Sequence, residues 1–156
     1  MVIIFCGVPG SGKSIIARAL AKKIKKLGSY KILISDKVSG RVYEKISEFL
    51  KENLGKVDYI LIDATFYKKK WRDMVYKLAK AGGQKALTVY LHCSLDTCIS
   101  RNKMRKPHIP EKAIYIISHQ MEKPRYPDQV GRWVASINTD KIKPKEAVLR
   151  ILKKLS

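Results

Sequence analysis

Acidic side chains are scarce in this sequence. Of its 156 residues, 33 are Lys or Arg and 13 are Asp or Glu, which gives a formal net charge of +20 at pH 7. A basic excess that reflects thermal adaptation of the surface usually raises Glu together with Lys, whereas here the excess has one sign. The charge therefore favours a polyanionic partner, tRNA or another RNA, over a surface adaptation without a partner.

Cysteine and long apolar runs are scarce as well. The three cysteines are an odd number without the spacing of metal ligands. Cys6 and Cys93 fall in predicted strands, so we expect them to be small core residues. No apolar run approaches the roughly 20 residues that span a bilayer, and Met1-Val2 leads into a predicted strand instead of a signal peptide. We expect a cytoplasmic protein without a membrane partner, whose residues 1–156 form one domain.

A phosphate-binding loop follows the first predicted strand. Gly7 to Ser14 read G-V-P-G-S-G-K-S and fit G-x-x-x-x-G-K-[ST] at every fixed position. Loop amides and the positive end of the next helix would hold phosphate oxygens. Lys13 would reach the β- and γ-phosphates of ATP, and the Ser14 hydroxyl would ligate Mg²⁺. The predicted nucleotide-binding residues are Gly7, Val8, Pro9, Gly10, Ser11, Gly12, Lys13, Ser14 and Ile15.

Predicted strands and helices alternate along the whole chain. The strands are almost continuously apolar, which is typical of a parallel sheet buried on both faces. Five such strands with crossover helices predict an α/β fold of three layers. The predicted strands are Val2–Cys6, Lys31–Ser35, Tyr59–Asp63, Ala86–Cys93 and Trp133–Ile137, and the predicted helices are Ser14–Leu27, Arg41–Leu54, Lys69–Ala81, Leu95–Met104, Pro110–Glu122 and Pro144–Leu155.

Two predicted strands lead into an aspartate. Asp63 ends an apolar strand in the Walker B pattern, in which the carboxylate holds Mg²⁺ beside the phosphate loop; the alternative is a cap on the next turn. Asp36 would face the γ-phosphate from the acceptor side and take the proton of an attacking hydroxyl; the alternative is the N-cap of the following helix. Arg41, near the start of that helix, is either an acceptor-binding residue or a solvated surface arginine.

Two arginines lie four residues apart near the end of the fourth predicted helix. On a helix, Arg101 and Arg105 share one face, and we expect them to close over the triphosphate as arginine fingers supplied in cis. The following P-H-I-P segment would complete a short lid over 101–110. The alternative is a solvated basic helix end.

A basic segment with aromatic residues follows the Walker B strand. Bases could stack on Tyr67 or Trp71 while Lys68, Lys69 and Lys70 contact phosphates. The alternative is a lysine-rich first helical turn with its aromatic residue in the core. We favour the core for Trp71 and a partner for the lysines. Five other residues are expected to be buried or packed, namely His92, Tyr43, Tyr76, Tyr90 and Tyr115.

Together these segments resemble the kinase domain of archaeal L-seryl-tRNA(Sec) kinase and are similar to the Elongator-associated P-loop proteins that bind tRNA. The matching segments are G-V-P-G-S-G-K-S, I-D-A-T-F-Y-K-K-K-W-R-D-M-V-Y-K-L-A-K, L-H-C-S-L-D-T-C-I-S-R-N-K-M-R, and then I-P, M-E-K-P and Arg132-Trp133. The resemblance implies nucleotide and Mg²⁺ binding by the phosphate loop, Asp36 as the base, and Arg101 with Arg105 as the arginine pair. The acidic pair usual in that group after the Walker B strand is single here, because Ala64 follows Asp63.

We therefore predict a small kinase with the P-loop NTPase fold and strand order 2-3-1-4-5. It would transfer the γ-phosphoryl group of ATP to a hydroxyl acceptor, which the charge favours as RNA-borne. One alternative is a small-molecule kinase that acts on adenylylsulfate or a nucleotide, although the long arginine-rich insert that would favour it is absent from the sequence. The other alternative is a tRNA-stimulated ATPase without kinase activity.

Overall fold

The computed structural model describes residues 1–38, 40–125 and 133–156. In these ranges strands and helices alternate except where α5 follows α4 directly, and a short 3-10 turn over Ser35–Lys37 separates β2 from α2. The strands are β1 Val2–Cys6, β2 Tyr30–Ile34, β3 Tyr59–Asp63, β4 Ala86–His92 and β5 Trp133–Asn138, and the helices are α1 Lys13–Ile24, α2 Val42–Asn53, α3 Lys69–Ala81, α4 Leu95–Met104, α5 Glu111–Gln120 and α6 Pro144–Leu155.

All strand pairs in the sheet are parallel, in the order β2-β3-β1-β4-β5. The predicted α/β fold and strand order are therefore confirmed. The central strand β1 is buried along its whole length, whereas the edge strand β2 is mostly half-buried. The register places Phe5 beside Asp63, so the last residue of β3 lies next to the end of β1, where the phosphate loop begins.

Two hydrophobic clusters cover the two faces of the sheet. Because successive strand residues point to opposite faces, Ile3 and Phe5 of β1 belong to the cluster with α1 and α6, while Val2, Ile4 and Cys6 belong to the cluster with α2 and α3. A fully buried aliphatic side chain stabilises the fold by about 1.5–3 kcal/mol. This layering fixes α1 directly behind the phosphate loop and holds β3 close beside it.

Helix α1 ends earlier than its sequence pattern predicts. The predicted end was Leu27, but the helix stops at Ile24 and the chain turns through residues whose side chains are exposed, Leu27 at 60%. Gly28 then packs against Asp58, whose Oδ2 would lie 2.7 Å from a Cβ at that glycine. The close approach to Asp58 at the start of β3, which the local sequence does not reveal, sets this turn.

Three side chains are less buried than predicted. His92 and Cys93 are half-buried, because they lie at the carboxyl end of β4 beside the edge strand β5, and Tyr115 is 48% exposed on α5. The packing predicted for Tyr43, Tyr76 and Tyr90 is confirmed, the first and last being partly buried against the α2–α3 cluster.

One segment of the family resemblance falls partly outside the described residues. Residues 126–132, among them Arg132 of the matching pair Arg132-Trp133, are not described. Within the residues that are described, no helix has the length and apolar character needed to cross a membrane.

Candidate active site

The phosphate loop connects the end of β1 to the start of α1, and two of its glycines have a left-handed backbone. Gly10 has φ 88° and Gly12 has φ 99°, a region that side chains other than glycine rarely adopt. A Cβ on Gly10 would lie 2.3 Å from the Cys98 carbonyl oxygen, so a side chain is also excluded by contact with α4. The Gly7 amide donates to the Thr65 carbonyl at 3.0 Å and ties the loop to the end of β3.

Lys13 lies inside this loop. Its side chain is 9% exposed, and Nζ donates to the Val8 carbonyl at 3.0 Å. Burial lowers the pKa of Lys13, and the nearby Asp63 carboxylate is the largest effect in the opposite direction. A poorly hydrated ammonium group attracts phosphate oxygens more strongly than a solvated one, so Lys13 is well placed to bind the anionic part of a nucleotide.

Ser14 and Asp63 bring two oxygen ligands together beside Lys13. The Ser14 hydroxyl donates to Asp63 Oδ2 at 2.5 Å, and Asp63 is 2% exposed. Burial raises the pKa of Asp63, while Lys13 and the Ser14 hydrogen bond act to lower it. The carboxylate thus points at the loop, as the Walker B interpretation requires. Mg²⁺ in phosphate sites takes one or two protein oxygens together with phosphate oxygens and water, so this pair fits the ion.

Asp36 lies one strand further along the same edge of the sheet. It is in the 3-10 turn that follows β2. Ile34, the last residue of β2, is paired with Asp63 in the β2–β3 register, so the turn begins beside Asp63. The N-cap position of α2 is occupied by Arg41, so Asp36 is not the cap of that helix. Arg105 Nη2 donates to Asp36 Oδ2 at 2.5 Å, which links this carboxylate to the end of α4.

The two predicted arginines have different partners. Helix α4 ends at Met104, and Arg105 is its C-cap residue, whose side chain forms an ion pair with Asp36. Arg101, still within α4, donates from Nη1 to the Thr139 hydroxyl and from Nη2 to the Thr139 carbonyl, both at 2.9 Å. Its Nη1 also lies 3.3 Å from the Gly10 carbonyl. Arg101 thus contacts the phosphate loop and Arg105 the turn after β2, and their joint action on the triphosphate stays a prediction.

These features agree with what comparison with known proteins finds. A family model described as AAA domain matches residues 2–124. The chain belongs to this family of P-loop kinases. L-seryl-tRNA(Sec) kinase of Methanococcus maripaludis is 30% identical over 137 residues, covering 80% of this chain and 53% of that protein. A protein of Halalkalibacterium halodurans named "Probable adenylyl-sulfate kinase" is 30% identical over 171 residues, covering 96% of this chain and 80% of that protein.

A solved structure has the same fold. Chaetomium thermophilum Kti12 in complex with ADP-AlF3 superposes with a TM-score of 0.73 at 16% identity and covers 100% of both chains. The chain spans 19% of the human and 53% of the archaeal L-seryl-tRNA(Sec) kinase that it matches. The likeness to the sequence relatives therefore concerns only part of their length.

In the segment 101–110 of this P-loop kinase, the Asn102 side chain forms two hydrogen bonds that hold the chain in place. Asn102 is 3% exposed; its amide group donates to the Ile109 carbonyl at 2.6 Å and accepts from the Ile109 amide at 2.9 Å. These two bonds close the connection between α4 and α5 into a compact loop next to Arg105. The sequence signal for this clamp is a polar asparagine between the two arginines, which was missed in the sequence analysis.

The predicted acceptor side of the kinase is more exposed. Arg41 has φ 38° and a side chain that is 81% exposed, and it forms an ion pair with Glu44 at 3.4 Å. Lys68 and Lys69 begin α3 and form ion pairs with Glu122 at 3.7 Å and Asp73 at 2.7 Å, while Lys70 Nζ lies 4.5 Å from the centroid of the Trp71 ring. Lys68 and Lys69 are therefore paired with carboxylates, whereas Lys70 lies over an aromatic ring.

Trp71 packs in the way that the sequence favours. Its ring stacks on Tyr43 with centroids 4.3 Å apart and an interplanar angle of 1°. The Tyr43 hydroxyl accepts from the Phe66 amide at 3.1 Å and lies 3.2 Å from the Thr65 hydroxyl. Trp71 is thus held in the packing between α2 and α3, and the edge of this aromatic pair is fixed to the segment that follows β3.

Two residues that support the site were missed from the sequence. Arg72, at the end of the basic segment, is 1% exposed and donates to the Phe66 carbonyl at 2.6 Å and the Glu122 carbonyl at 2.8 Å. Thr139, after β5, has a hydroxyl that donates to the Ser11 carbonyl at 2.9 Å. No motif marks either residue, because each supports the site through contacts that are distant along the chain.

Proposed function

We propose that this kinase transfers the γ-phosphoryl group of ATP to a hydroxyl acceptor. The observation that carries the proposal is that Lys13, Ser14 and Asp63 meet at one edge of the sheet while Asp36 lies at the end of the adjacent strand. A nucleotide held by the loop and an acceptor held beside β2 would then share the same edge, where ligands of open α/β sheets bind.

Each residue has a role that its surroundings support. The loop amides and Lys13 would hold the β- and γ-phosphates. Ser14 and Asp63 would hold Mg²⁺, which supplies neutralisation of phosphate charge when bound. Arg101, fixed by Thr139 and Gly10, would stabilise the charge that develops on the transferred group.

Asp36 would act as the base in this proposal. As the acceptor oxygen bonds to the γ-phosphorus, the bond from phosphorus to the β–γ bridging oxygen breaks and the acceptor proton passes to the carboxylate. Arg105 is ion-paired with Asp36. Movement of Arg105 from Asp36 towards the phosphates would free the carboxylate to accept the proton and would add positive charge at the triphosphate, with 101–110 acting as a lid that moves together with α4.

The charge of the protein supports an RNA-borne acceptor. Helix α1 reads K-S-I-I-A-R-A-L-A-K-K-I without an acid, and its exposed residues Arg18 and Lys22 lie four apart on one face. On the proposed acceptor side, Lys70 and Lys77 line an open groove between α2 and α3 together with Asp73, whose carboxylate is paired with Lys69. Clusters of this kind attract the phosphate backbone of RNA, and an archaeal relative is named L-seryl-tRNA(Sec) kinase.

A small-molecule acceptor is the second candidate. The relative named "Probable adenylyl-sulfate kinase" matches over 96% of this chain and 80% of its own length, so the likeness extends over most of both proteins. Under this alternative the excess positive charge is a surface adaptation, and the acceptor binds as an anion beside Arg41.

One labelling experiment tests both candidates. The purified protein is incubated with γ-labelled ATP and either deacylated and aminoacylated tRNA, total RNA, or adenylyl sulfate with a metabolite extract. Label that stays with RNA and is released by ribonuclease supports the RNA-borne acceptor, and label in a small molecule supports the second candidate. Release of free phosphate alone, stimulated by tRNA, contradicts both and indicates an ATPase. A Lys13→Ala protein run in parallel identifies label from a contaminating kinase, and cell fractionation tests the predicted cytoplasmic location.

A further inference from the structure

Two thiols touch each other at the junction of β4 and α4. Cys93 follows β4, Cys98 lies in α4, and their sulfur atoms are 2.8 Å apart. A disulfide bond is about 2.05 Å long, so the sulfurs need to approach by only about 0.8 Å to form one. Cys93 is half-buried whereas Cys98 is 2% exposed, which means that a dissolved oxidant reaches Cys93 first.

The surroundings of the pair give the two thiols different acidities. The hydrogen bond from Cys98 lowers the pKa of Cys93 to about 7, with Thr139 and the Arg101 guanidinium adding to the effect. The same hydrogen bond, together with burial, raises the pKa of Cys98. Cys93 is therefore the thiolate nucleophile near neutral pH, while Cys98 keeps its proton.

We propose that Cys93 and Cys98 form a reversible thiol–disulfide site that is oxidised by hydroperoxides and that controls nucleotide binding. The Cys93 thiolate attacks a peroxide oxygen; the O–O bond breaks, the alkoxide or hydroxide leaves, and a sulfenic acid forms on Cys93. The Cys98 sulfur then attacks the Cys93 sulfur; the S–S bond forms, the S–O bond breaks, and water leaves with the Cys98 proton. One hydroperoxide takes two electrons from the pair, and a dithiol returns them.

The pair is in direct contact with the phosphate loop. The Cys98 carbonyl lies so close to Gly10 that a Cβ there would be 2.3 Å from its oxygen. Arg101 Nη1 lies 3.8 Å from Cys93 Sγ and 3.3 Å from the Gly10 carbonyl, so one guanidinium contacts both the thiol and the loop. Oxidation shortens the distance between the sulfurs and removes the thiolate that faces Arg101. The positions of Gly10 and Arg101 then change, and we expect the oxidised protein to bind ATP several-fold more weakly.

The third cysteine provides an internal control. Cys6 is fully buried in β1, on the α2–α3 side of the sheet, and its thiol donates to the Phe66 carbonyl at 3.4 Å. Burial raises the pKa of Cys6 to about 11, so this thiol is protonated at neutral pH and resists oxidation. All three thiols are free in the reduced protein.

Peptide mass spectrometry tests the site without any measurement of catalysis. The reduced protein is treated with excess hydrogen peroxide at pH 7.5, unfolded, and alkylated. We expect a Cys93–Cys98 disulfide, lighter by two hydrogens than the dithiol, with Cys6 fully alkylated. In Cys98→Ser a sulfenic acid trapped by dimedone should appear on Cys93, whereas Cys93→Ser should give neither product. Free Cys93 and Cys98 after treatment, or oxidation of Cys6 at an equal rate, would overturn the site.

Nucleotide titration tests the coupling to the loop. The affinity for a fluorescent ATP analogue is measured for the wild-type protein reduced, oxidised, and reduced again with dithiothreitol. We expect affinity to fall on oxidation and to return on reduction, and Cys93→Ser, which forms neither oxidation product, to keep one affinity throughout. Equal affinities of the oxidised and reduced wild-type protein would overturn the coupling even where the disulfide forms. Because the wild-type protein is its own comparison, this outcome depends neither on how the variant folds nor on the phosphoryl acceptor.

Discussion

The nucleotide side and the acceptor side of this site are built differently. On the nucleotide side, Lys13 and Asp63 are buried, and Arg101 is held by Thr139 and the Gly10 carbonyl. On the proposed acceptor side, Arg41 is 81% exposed and forms an ion pair with the exposed Glu44. Exposed ion pairs contribute little to stability, so residues of the proposed acceptor side can be replaced at little cost in stability. The residues of the nucleotide side are part of the core. The fold therefore specifies the phosphoryl donor far more closely than the acceptor.

Of the variants that test this difference between the two sides, Lys13→Ala should cause the largest loss of turnover and ATP affinity. We expect Lys13→Ala to abolish turnover and to remove most of the affinity for ATP, because the loop loses its only buried ammonium among the described residues. Isothermal titration with ATP and a turnover assay measure the two losses. Lys23→Ala, an exposed lysine of the same helix, is the matched control and should behave like the wild type. Turnover that survives in Lys13→Ala contradicts the assignment of the loop.

The two aspartates should separate binding from transfer. Asp36→Asn should keep its affinity for Mg·ATP but lose phosphoryl transfer by roughly 10²- to 10⁴-fold, the usual contribution of a general base. Asp63→Asn should instead raise the Mg²⁺ concentration that gives half-maximal turnover. Binding and transfer rates over a magnesium series distinguish the two variants. Normal transfer by Asp36→Asn means that the base lies elsewhere.

The two arginines should differ because their partners differ. Arg101→Ala should lower kcat and also weaken ATP binding, since Arg101 is bonded to Gly10 of the loop and to Thr139. Arg105→Ala should lower kcat while ATP affinity changes little, because Arg105 contacts Asp36 and not the loop. A loss of roughly 10³-fold in kcat is the lower range for an arginine finger. Steady-state kinetics with lysine replacements as controls measure both, and an unchanged kcat in both variants indicates a solvated basic face.

The acceptor-side lysines should give the smallest effect. Neutralising each phosphate adds roughly −0.7 to −0.9 to the slope of log K against log salt for RNA binding. Replacing Lys68, Lys69 and Lys70 together should reduce the slope by about 1 to 3, and Lys70→Ala alone should account for much of it, because the other two already pair with Glu122 and Asp73. Titration of tRNA at several salt concentrations tests this.

Lys145→Ala, an exposed lysine of α6, is the matched control for these variants. An unchanged slope in the triple variant, with wild-type ATP affinity, means that RNA does not bind through these three lysines. That outcome favours a small-molecule acceptor. A slope that falls equally in Lys145→Ala and Lys70→Ala means that RNA binds through the overall charge of the protein.

Sequence reasoning predicted the strands and their order correctly, because consecutive residues define each strand. The loop motif needs two glycines, a lysine and a serine at fixed spacing, and Asp63 ends the strand beside it, so both positions could be located from the sequence, while their roles stay predictions. The partner of Arg105 could not be predicted, because Asp36 is 69 residues away in the chain. The Thr139–Ser11 bond joins residues 128 positions apart and has no local pattern.

The clamp between Asn102 and Ile109 has a consequence for motion. A connection whose two ends are joined by a pair of hydrogen bonds cannot swing on a hinge of its own, so it travels with α4 as a rigid extension. The Ile109 amide proton, although it lies in a basic, proline-flanked stretch, is bonded to a buried side chain. It should therefore exchange with deuterium as slowly as amides of the helices, and Asn102→Ala should make that single proton exchange rapidly.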